Sequence, residues 1–198
     1  MNLLKYIKIS HSILKSSNLR GIFYCLKYKN LQFPLIIKKG GKFKNLKYLK
    51  TEHNLFIDDH AEICIRPNKA IQKPQIVLGK GVFIGRYNIL SCINKIILEE
   101  NVLLAPFVFI IDNTHNFSDP NVPIKAQGVF SQGPIRIKKN SWIGANVQIL
   151  GGVTIGRNCI IGAGSIVNSD IPDYSVAIGR PAKVIKIYNF ETNQWERV

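Results

Sequence analysis

An aliphatic residue recurs every six positions between residues 137 and 167, and this repeat constrains the fold more than any other feature. Read in sixes, the stretch gives IKKNSW, IGANVQ, ILGGVT, IGRNCI and IGAGSI before Val167. A period of six fits neither an α-helix nor one long strand, but it suits short flat strands joined by tight turns and stacked as coils. The sequence therefore predicts a β-solenoid whose core exists only once the coils are stacked.

Two further places in each six support this interpretation. The fifth place is small or β-branched, as expected of a second inward position on a strand, and its residues are Ser141, Val147, Val153, Cys159 and Ser165. The second place is glycine at residues 144, 156 and 162. Glycine there predicts a corner at which a Cβ atom would be hindered.

The six-residue phase continues upstream, but with slips. It runs through Ile57 and Ile63, then from Leu78 to Leu90, and then from Leu98 to Ile110. Such slips predict residues inserted at corners. The largest interruption, DNTHNFSDPNVPIKAQGVFSQGP, predicts a loop, and loops on a rigid scaffold commonly carry function.

The second half of the chain resembles a known family. IGANVQILGGVTIGRNCIIGAGSIVNSDIP followed by VAIGRPAKVIK is similar to the hexapeptide-repeat acyltransferases, in the branch of the galactoside, maltose and bacterial polysaccharide O-acetyltransferases. The resemblance covers residues 75–187 and is absent from residues 1–50. It implies an all-β fold, a left-handed parallel β-helix, despite the general preference for right-handed crossovers. It also implies a homotrimer with active sites between subunits.

The domain organisation follows from these boundaries. We expect a basic, partly helical N-terminal cap over residues 1–50 and a β-helix acyltransferase domain over residues 51–187. A loop at 112–134 protrudes from the β-helix, and residues 188–198 form a C-terminal tail.

His115, in the phrase DNTHNF, is the predicted catalytic residue. In the acetyltransferases that the chain resembles, a histidine here is the general base. Imidazole titrates close enough to neutrality to take the proton of a sugar hydroxyl as the oxygen attacks a thioester. Asp112 is a candidate to orient the ring, with Asp59 an open alternative.

Asn88, in GRYNIL, matches an asparagine that lines the acceptor pocket of the sugar acetyltransferases. Its amide could stabilise developing negative charge, although a backbone N–H could do the same. The alternative is a corner asparagine that tolerates an unusual backbone conformation.

The resemblance also implies that acetyl-CoA lies in a groove between the coils of two subunits. Small residues along flat coils leave room for pantetheine, and basic residues near the end suit its phosphates. The implied cofactor residues are Trp142, Gly144, Ala145, Gly162, Ala163, Asn168, Ser169, Arg180, Lys183 and Lys186. Many relatives have Thr-Lys at the position of Asn168-Ser169, so other cations must supply that phosphate contact. Trp142 either stacks near the cofactor or fills a corner.

No metal is expected. The other three histidines, His11, His53 and His60, do not form the spaced triad of ligands that a zinc site on this fold would require.

The net charge of +15 is concentrated at the N-terminus, since residues 1–50 contain twelve Lys or Arg and no Asp or Glu. Candidate partners are anionic lipid, nucleic acid, or an acidic or lipid-phosphate-linked substrate. Amphipathic helices are predicted over residues 2–15 and from Leu19 to Tyr28, where they would cap the solenoid, contact a membrane surface, or both. Nucleic acid is disfavoured because no recognisable binding module accompanies the charge.

The sequence favours a cytoplasmic location, with possible peripheral contact at the inner face of the membrane. The longest uncharged apolar run, Leu103 to Ile111, is too short to span a bilayer. The N-terminus lacks a continuous signal-peptide core, and the four cysteines show no CxxC pair.

The resulting hypothesis is an acetyl-CoA-dependent O-acetyltransferase that acts directly on a sugar hydroxyl. The loop HNFSDPNVPIKAQGVFSQGPI resembles the longer excursion of O-antigen and capsule acetyltransferases, which suggests a nucleotide-linked, lipid-linked or polymeric glycan acceptor. Two alternatives stay open: N-acetylation of an amino sugar nucleotide, and a non-catalytic scaffold for glycan assembly.

Overall fold

The computed structural model describes residues 18–68 and 70–198. One helix, α1 (Asn18–Lys27), precedes the strands. In chain order these are β1 (Leu35–Ile37), β2 (Lys42–Lys44), β3 (Leu49–Thr51), β4 (Leu55–Ile57), β5 (Glu62–Ile65), β6 (Gln75–Leu78), β7 (Phe83–Ile84), β8 (Ile89–Cys92), β9 (Lys95–Leu98), β10 (Leu103–Leu104), β11 (Phe109–Ile111), β12 (Asn113–His115), β13 (Val129–Ser131), β14 (Ile135–Ile137), β15 (Trp142–Ile143), β16 (Gln148–Leu150), β17 (Thr154–Ile155), β18 (Ile160–Ile161), β19 (Ile166–Val167), β20 (Ser175–Gly179), β21 (Ala182–Asn189) and β22 (Gln194–Arg197). Short 3-10 turns lie at Leu46–Tyr48 and Ile124–Ala126.

The strands form three parallel sheets that the chain visits in turn. Sheet A contains β1, β4, β7, β10, β15, β18 and β20, followed by antiparallel β21 and β22. Sheet B contains β2, β5, β8, β11, β16 and β19, and sheet C contains β3, β6, β9, β14 and β17. Each coil takes one strand from each sheet, so the architecture is the left-handed parallel β-helix that the repeat and the resemblance predicted.

The core is a set of aliphatic columns along the helix axis. In sheet A, Ile57, Ile84, Leu104, Ile143 and Ile161 pair in register on successive coils, and each is at most 1% exposed. Burying one such side chain contributes about 1.5–3 kcal/mol, and the neighbouring coil supplies the apolar surface that covers it. The phase of six is therefore the phase of the inward columns.

Asparagines turn the chain from sheet C to sheet A. Asn54, Asn101, Asn140 and Asn158 have φ between 51° and 61°, in the left-handed region. Asparagine adopts this conformation more readily than other residues with a Cβ atom. A residue of this type at the fourth place of a six therefore permits a tight corner without glycine.

All three interruptions of the phase lie at one corner. The inserted residues between β5 and β6, between β8 and β9, and between β11 and β14 all connect sheet B to sheet C. The inward columns on either side stay in register. The third insertion is more ordered than a simple loop, because β12 and β13 pair as an antiparallel ribbon.

The coils begin earlier than the sequence boundary at residue 51 indicated. Strands β1 to β3, over residues 35–51, already form a first coil that pairs with the next. Gly40 and Gly41, interpreted as a boundary, lie at a corner of this coil, where Gly40 has φ of 72°. The lysines of β2 and β3 point outward and hide the inward pattern.

Helix α1 covers the open end of the first coil, as the capping interpretation predicted. Gly21 lets the helix lie directly on β1, since a Cβ atom there would overlap the carbonyl oxygen of Leu35. The Arg20 guanidinium donates to the carbonyl of Ile37 at 3.0 Å, and Tyr24 packs edge-on against Phe43. The helix predicted over residues 2–15 lies outside the described residues.

The C-terminal residues form a hairpin rather than a separate tail. Strand β21 runs through the expected boundary at residue 188 and pairs with β22. Tyr188 contacts both Phe190 and Trp195 edge-on, and Tyr174 contacts Phe190. The hairpin therefore extends sheet A beyond the last coil.

Within residues 18–68 and 70–198, no helix has the length and apolar character required to cross a membrane.

Candidate functional site

His115 is presented by the ribbon that leaves the corner between sheets B and C. It is the last residue of β12, opposite Val129 of β13, and its side chain is exposed. Its ring makes no hydrogen bond to the part of the chain that the structure describes. The imidazole is thus accessible to a ligand that approaches this corner.

The base of the ribbon is fixed to the coil beneath it. The Asn113 amide donates to the carbonyl of Ser91 at 3.2 Å, and the Asn94 amide donates to the Ser131 hydroxyl at 3.2 Å. These bonds join β12 to the end of β8 and β13 to the turn that follows it. His115 is therefore held two residues from an anchored point.

The Asp112 carboxylate binds the backbone of the neighbouring coil and not the ring that it was predicted to orient. Its carboxylate is fully buried and accepts hydrogen bonds from the backbone N–H groups of Ile93 and Asn94, both at 2.8 Å. It makes no hydrogen bond to His115. Asp59, the alternative, accepts from the Lys39 backbone at the corner between sheets A and B, away from the ribbon. Within one chain, neither carboxylate orients the ring.

Asn88 is also a structural residue, contrary to its predicted place in an acceptor pocket. It occupies the fifth, inward place of its six, has no exposed surface, and accepts from the Val108 backbone N–H at 2.7 Å. Its side-chain nitrogen has no hydrogen-bond partner. A side chain enclosed within the coil is not exposed to an acceptor, and the positive φ at this corner belongs to Tyr87 rather than to Asn88, so the corner interpretation does not describe Asn88 either.

Most of the predicted cofactor residues lie together on sheet A and its corner with sheet B. Trp142 points outward and is 48% exposed. On the next strands of sheet A, its cross-strand partners in register are Ile160, Val176 and Lys186. We call this set the outer row. Beside it, at the corner, lie Gly144, Ala145, Gly162, Ala163 and Arg180, and Lys183 follows on β21.

Three of these residues are explained in part by coil stacking. A Cβ atom on Gly144 would lie 2.7 Å from the backbone of the next coil, and one on Gly162 would meet the side chain of Ile178. The Arg180 guanidinium donates to the carbonyl of Gly164. The glycines are therefore needed for the fold whether or not a cofactor binds beside them.

Asn168 and Ser169 lie apart from the outer row. They follow β19 at the corner between sheets B and C, the same corner from which the His115 ribbon leaves two coils earlier. One chain thus carries two groups of predicted site residues. His115, Asn168 and Ser169 lie at the corner between sheets B and C, and the outer row with its neighbours lies on sheet A and its corner with sheet B. A site that uses both groups must either span sheet B of one chain or include a second chain.

The buried cysteines are unsuited to covalent catalysis. Burial, followed by the nearby charge of Asp112, raises the pKa of Cys92 far above its usual range. Burial likewise raises the pKa of Cys159. The four cysteines, all in the described residues, are not cross-linked. Cys92 and Cys159 are therefore poor candidates for an acyl carrier.

Sequence reasoning missed an aromatic column at the corner between sheets A and B. His60, Tyr87 and Phe107 stack nearly parallel with ring centroids 5.0 and 5.1 Å apart, and each has a positive φ. The signal was present in the sequence, because all three occupy the fourth place of a six, where Asn or Gly stands at residues 140–164. The column continues towards Asn146 on the same corner as Ala145 and Ala163.

A cleft of about 330 Å³ lies at the first coils and contains none of the predicted site residues. It is lined by Lys29, Asn30, Gln32, Lys50, Thr51, Glu52, Val77 and Leu78. Within the described residues, no group of three or more His, Cys, Asp or Glu side chains is placed to hold a metal ion.

Comparisons with known proteins support the repeat and the fold. The family model "Bacterial transferase hexapeptide (six repeats)" matches residues 134–169. The chain is 29% identical over 180 residues to the putative lipopolysaccharide biosynthesis O-acetyl transferase WbbJ of Escherichia coli, with 86% of each chain covered. It is 43% identical over 108 residues to a probable acetyltransferase of Mycobacterium tuberculosis, covering 54% of this chain but only 36% of that protein.

A solved structure shares the architecture. A mutant of AntD, an N-acyltransferase from Bacillus cereus, in complex with dTDP-4-amino-4,6-dideoxyglucose and coenzyme A superposes with a TM-score of 0.73. The match covers 87% of this chain and 91% of that one at 21% identity, so it speaks to the fold alone. The repeat, the coils and the named relatives confirm the resemblance to the hexapeptide-repeat acyltransferases that the sequence showed.

Proposed function

We propose that this protein is an acyltransferase that moves an acetyl group from acetyl-CoA to a sugar hydroxyl of a bacterial surface glycan or its precursor. The observation that carries the proposal is the exposed imidazole of His115 on a ribbon anchored to rigid coils. The relatives reported above are named acetyltransferases, and WbbJ, which matches over most of both chains, is named an O-acetyl transferase.

The chemistry requires one base and no covalent intermediate. His115 accepts the proton of the acceptor hydroxyl while that oxygen attacks the thioester carbonyl, and the imidazolium then returns a proton to the departing thiolate. Direct transfer agrees with the burial of Cys92 and Cys159, which cannot act as acyl carriers.

The outer row is the proposed cofactor surface. Trp142 and the small corner residues Ala145 and Ala163 would lie along pantetheine, and Arg180, Lys183 and Lys186 would meet the phosphates. Coenzyme A is present in the AntD complex, whose fold is the same.

A homotrimer is the proposed assembly, because one chain does not bring its two groups together. His115, Asn168 and Ser169 lie at one edge of sheet B, and the outer row begins at the other. A neighbour related by rotation would place the histidine edge of one chain against the outer row of the next. We also propose a cytoplasmic location, at the inner face of the membrane, where acetyl-CoA and lipid-linked glycan precursors meet.

Labelled acetyl-CoA tests the activity directly. The protein is incubated with it and a panel of sugars, nucleotide sugars and lipid-linked glycans, with reactions lacking acceptor as controls. We expect a labelled sugar product that mild alkali hydrolyses, as expected of an ester. An alkali-stable product would indicate N-acetylation of an amino sugar instead of O-acetylation. No labelled product from any acceptor would favour the scaffold interpretation and contradict the proposal.

A further inference from the structure

Positive charge surrounds the capped end of the β-helix. Between residues 18 and 51 the chain has nine Lys or Arg and no Asp or Glu. We call these residues the basic collar: Arg20, Lys27, Lys29, Lys38, Lys39, Lys42, Lys44, Lys47 and Lys50. Among the described residues, only Lys42 of this collar makes an ion pair, with Glu62 at 2.8 Å.

The collar encircles the first coil. Lys42 and Lys44 project from β2 in sheet B, Lys50 projects from β3 in sheet C, and Lys39 lies at the corner between sheets A and B. The charge therefore surrounds the helix axis at the end that α1 caps. A partner that meets all of it must be broad, flat and negatively charged.

The centre of the collar carries exposed apolar side chains. Helix α1 turns Gly21 and Tyr24 to the coil, so its opposite side presents Phe23 and Leu26, which are 58% and 82% exposed. Phe33, in the connection to β1, is 60% exposed. Lys27 lies over the ring of Phe23 at 5.8 Å from its centroid. Large apolar side chains ringed by lysine are typical of a surface that enters the headgroup region of a bilayer.

We propose that this end of the molecule, α1 with the basic collar, docks on an anionic phospholipid membrane. Phe23 and Leu26 enter the interface, and the collar binds the lipid phosphates. The coil axis then stands across the membrane plane, so identical copies packed side by side present their caps to the same surface. This inference does not depend on acyl transfer.

Flotation of the full chain with vesicles tests the proposal. We expect binding to phosphatidylcholine vesicles that contain about a quarter phosphatidylglycerol, little binding to phosphatidylcholine alone, and loss of binding as salt rises to about 0.5 M. Vesicle binding is measured separately from acetyl transfer, so a negative result in one assay does not contradict the proposal that the other assay tests.

Paired variants define the surface. Lys27→Glu with Lys29→Glu, and separately Phe23→Ser with Leu26→Ser, should each weaken binding about tenfold or more. The matched controls, Lys125→Glu with Lys139→Glu and Phe190→Ser with Val198→Ser, change exposed residues on later coils and the C-terminal hairpin and should bind as the unaltered protein does. Circular dichroism confirms that each variant is folded.

Three results would overturn the proposal. The first is equal binding to neutral and anionic vesicles. The second is full binding by both cap variants with loss only when residues 1–17 are deleted, which would assign the contact to that segment. The third is a change in the oligomeric state of the Phe23→Ser, Leu26→Ser variant without vesicles, which would show that α1 binds another copy of the chain.

Discussion

At the scale of single residues, Asp112 and Asn88 were both expected near the chemistry, and both bind backbone groups of the coils. Asp112 binds two backbone N–H groups of the preceding turn, and Asn88 binds one inside the coil. Both are buried, whereas His115 is exposed. In the proposed mechanism the chemistry belongs to His115, and we expect Asp112 to fix the turn from which the ribbon leaves.

The Asp112→Asn variant tests this division of roles. One of two charge-assisted hydrogen bonds is lost in a buried site, so we expect a loss of about 1–3 kcal/mol in the free energy of unfolding, measured with denaturant. Asp119→Asn, in the exposed part of the loop, should change it by less than about 0.5 kcal/mol. A stable Asp112→Asn variant that has lost turnover would instead indicate a catalytic role.

The exposed position of His115 on an excursion was predictable, and the backbone partners of Asp112 were not, for a physical reason. A histidine in a polar excursion from a strict repeat is marked by its surroundings in the sequence. The partners of Asp112 are the backbone N–H groups of residues 93 and 94, one coil away. Because every residue except proline has a backbone N–H, the residue types at these positions do not identify them as partners. Asn88 could have been assigned, since the fifth place of a six points inward.

At the scale of secondary-structure elements, the ends of the β-helix need surfaces that a repeat cannot provide. Helix α1 closes one end, and the hairpin of β21 and β22 extends the other. The strict repeat predicted the coils from residue 137 onward. It missed the first coil because that coil alternates inward aliphatics with outward lysines and keeps no period of six.

The Gly21→Ala variant tests the seating of the cap. Alanine favours a helix over glycine by about 1 kcal/mol, so on helix propensity alone the change should stabilise α1. We expect the opposite, because the new Cβ atom would overlap the Leu35 carbonyl and separate α1 from β1. Hydrogen exchange should accelerate across residues 18–27 while the coils stay protected. Unchanged or slower exchange in α1 would show that the close contact does not exist.

Asp173 joins the last coils and should make their stability depend on pH. Burial raises the pKa of Asp173. The Arg157 backbone N–H and the side chains of Lys138 and Arg157 lower it by more, so the pKa of Asp173 lies below its ordinary value of 3.8. A carboxyl group with a lowered folded-state pKa stabilises above its unfolded value and loses that contribution as pH falls through the folded one.

We therefore expect thermal stability to fall below pH 3.8, and to fall less steeply in Asp173→Asn than in the unaltered chain. Differential scanning calorimetry across this range measures the difference. Parallel pH profiles for the two proteins would contradict the ion-pair assignment.

At the scale of the whole molecule, one chain separates the histidine from the proposed cofactor surface. The sequence predicted both His115 and the cofactor residues as site residues. It did not indicate at which corner of the β-helix each would lie, because that depends on how many residues each corner contains. The structure resolves this for one chain and makes the neighbour's contribution testable.

Mixing two inactive variants tests a site shared between chains. His115→Ala lacks the proposed base, and Arg180→Glu with Lys186→Glu lacks two cations of the proposed cofactor surface. Alone, each should be nearly inactive. After co-refolding in equal amounts, about a quarter of the sites should combine an intact histidine with an intact outer row if the site lies between neighbours in a closed ring. No recovery in the mixed assemblies would place both groups in the same chain.

The most direct test of the central claim is the acetyl-transfer rate of His115→Ala, measured beside its affinity for coenzyme A. A lost general base should lower turnover by about 10²–10⁴-fold while the dissociation constant for coenzyme A stays unchanged, because the outer row is intact. Turnover equal to that of the unaltered protein would contradict the assignment of His115 as the base and, with it, the proposed mechanism.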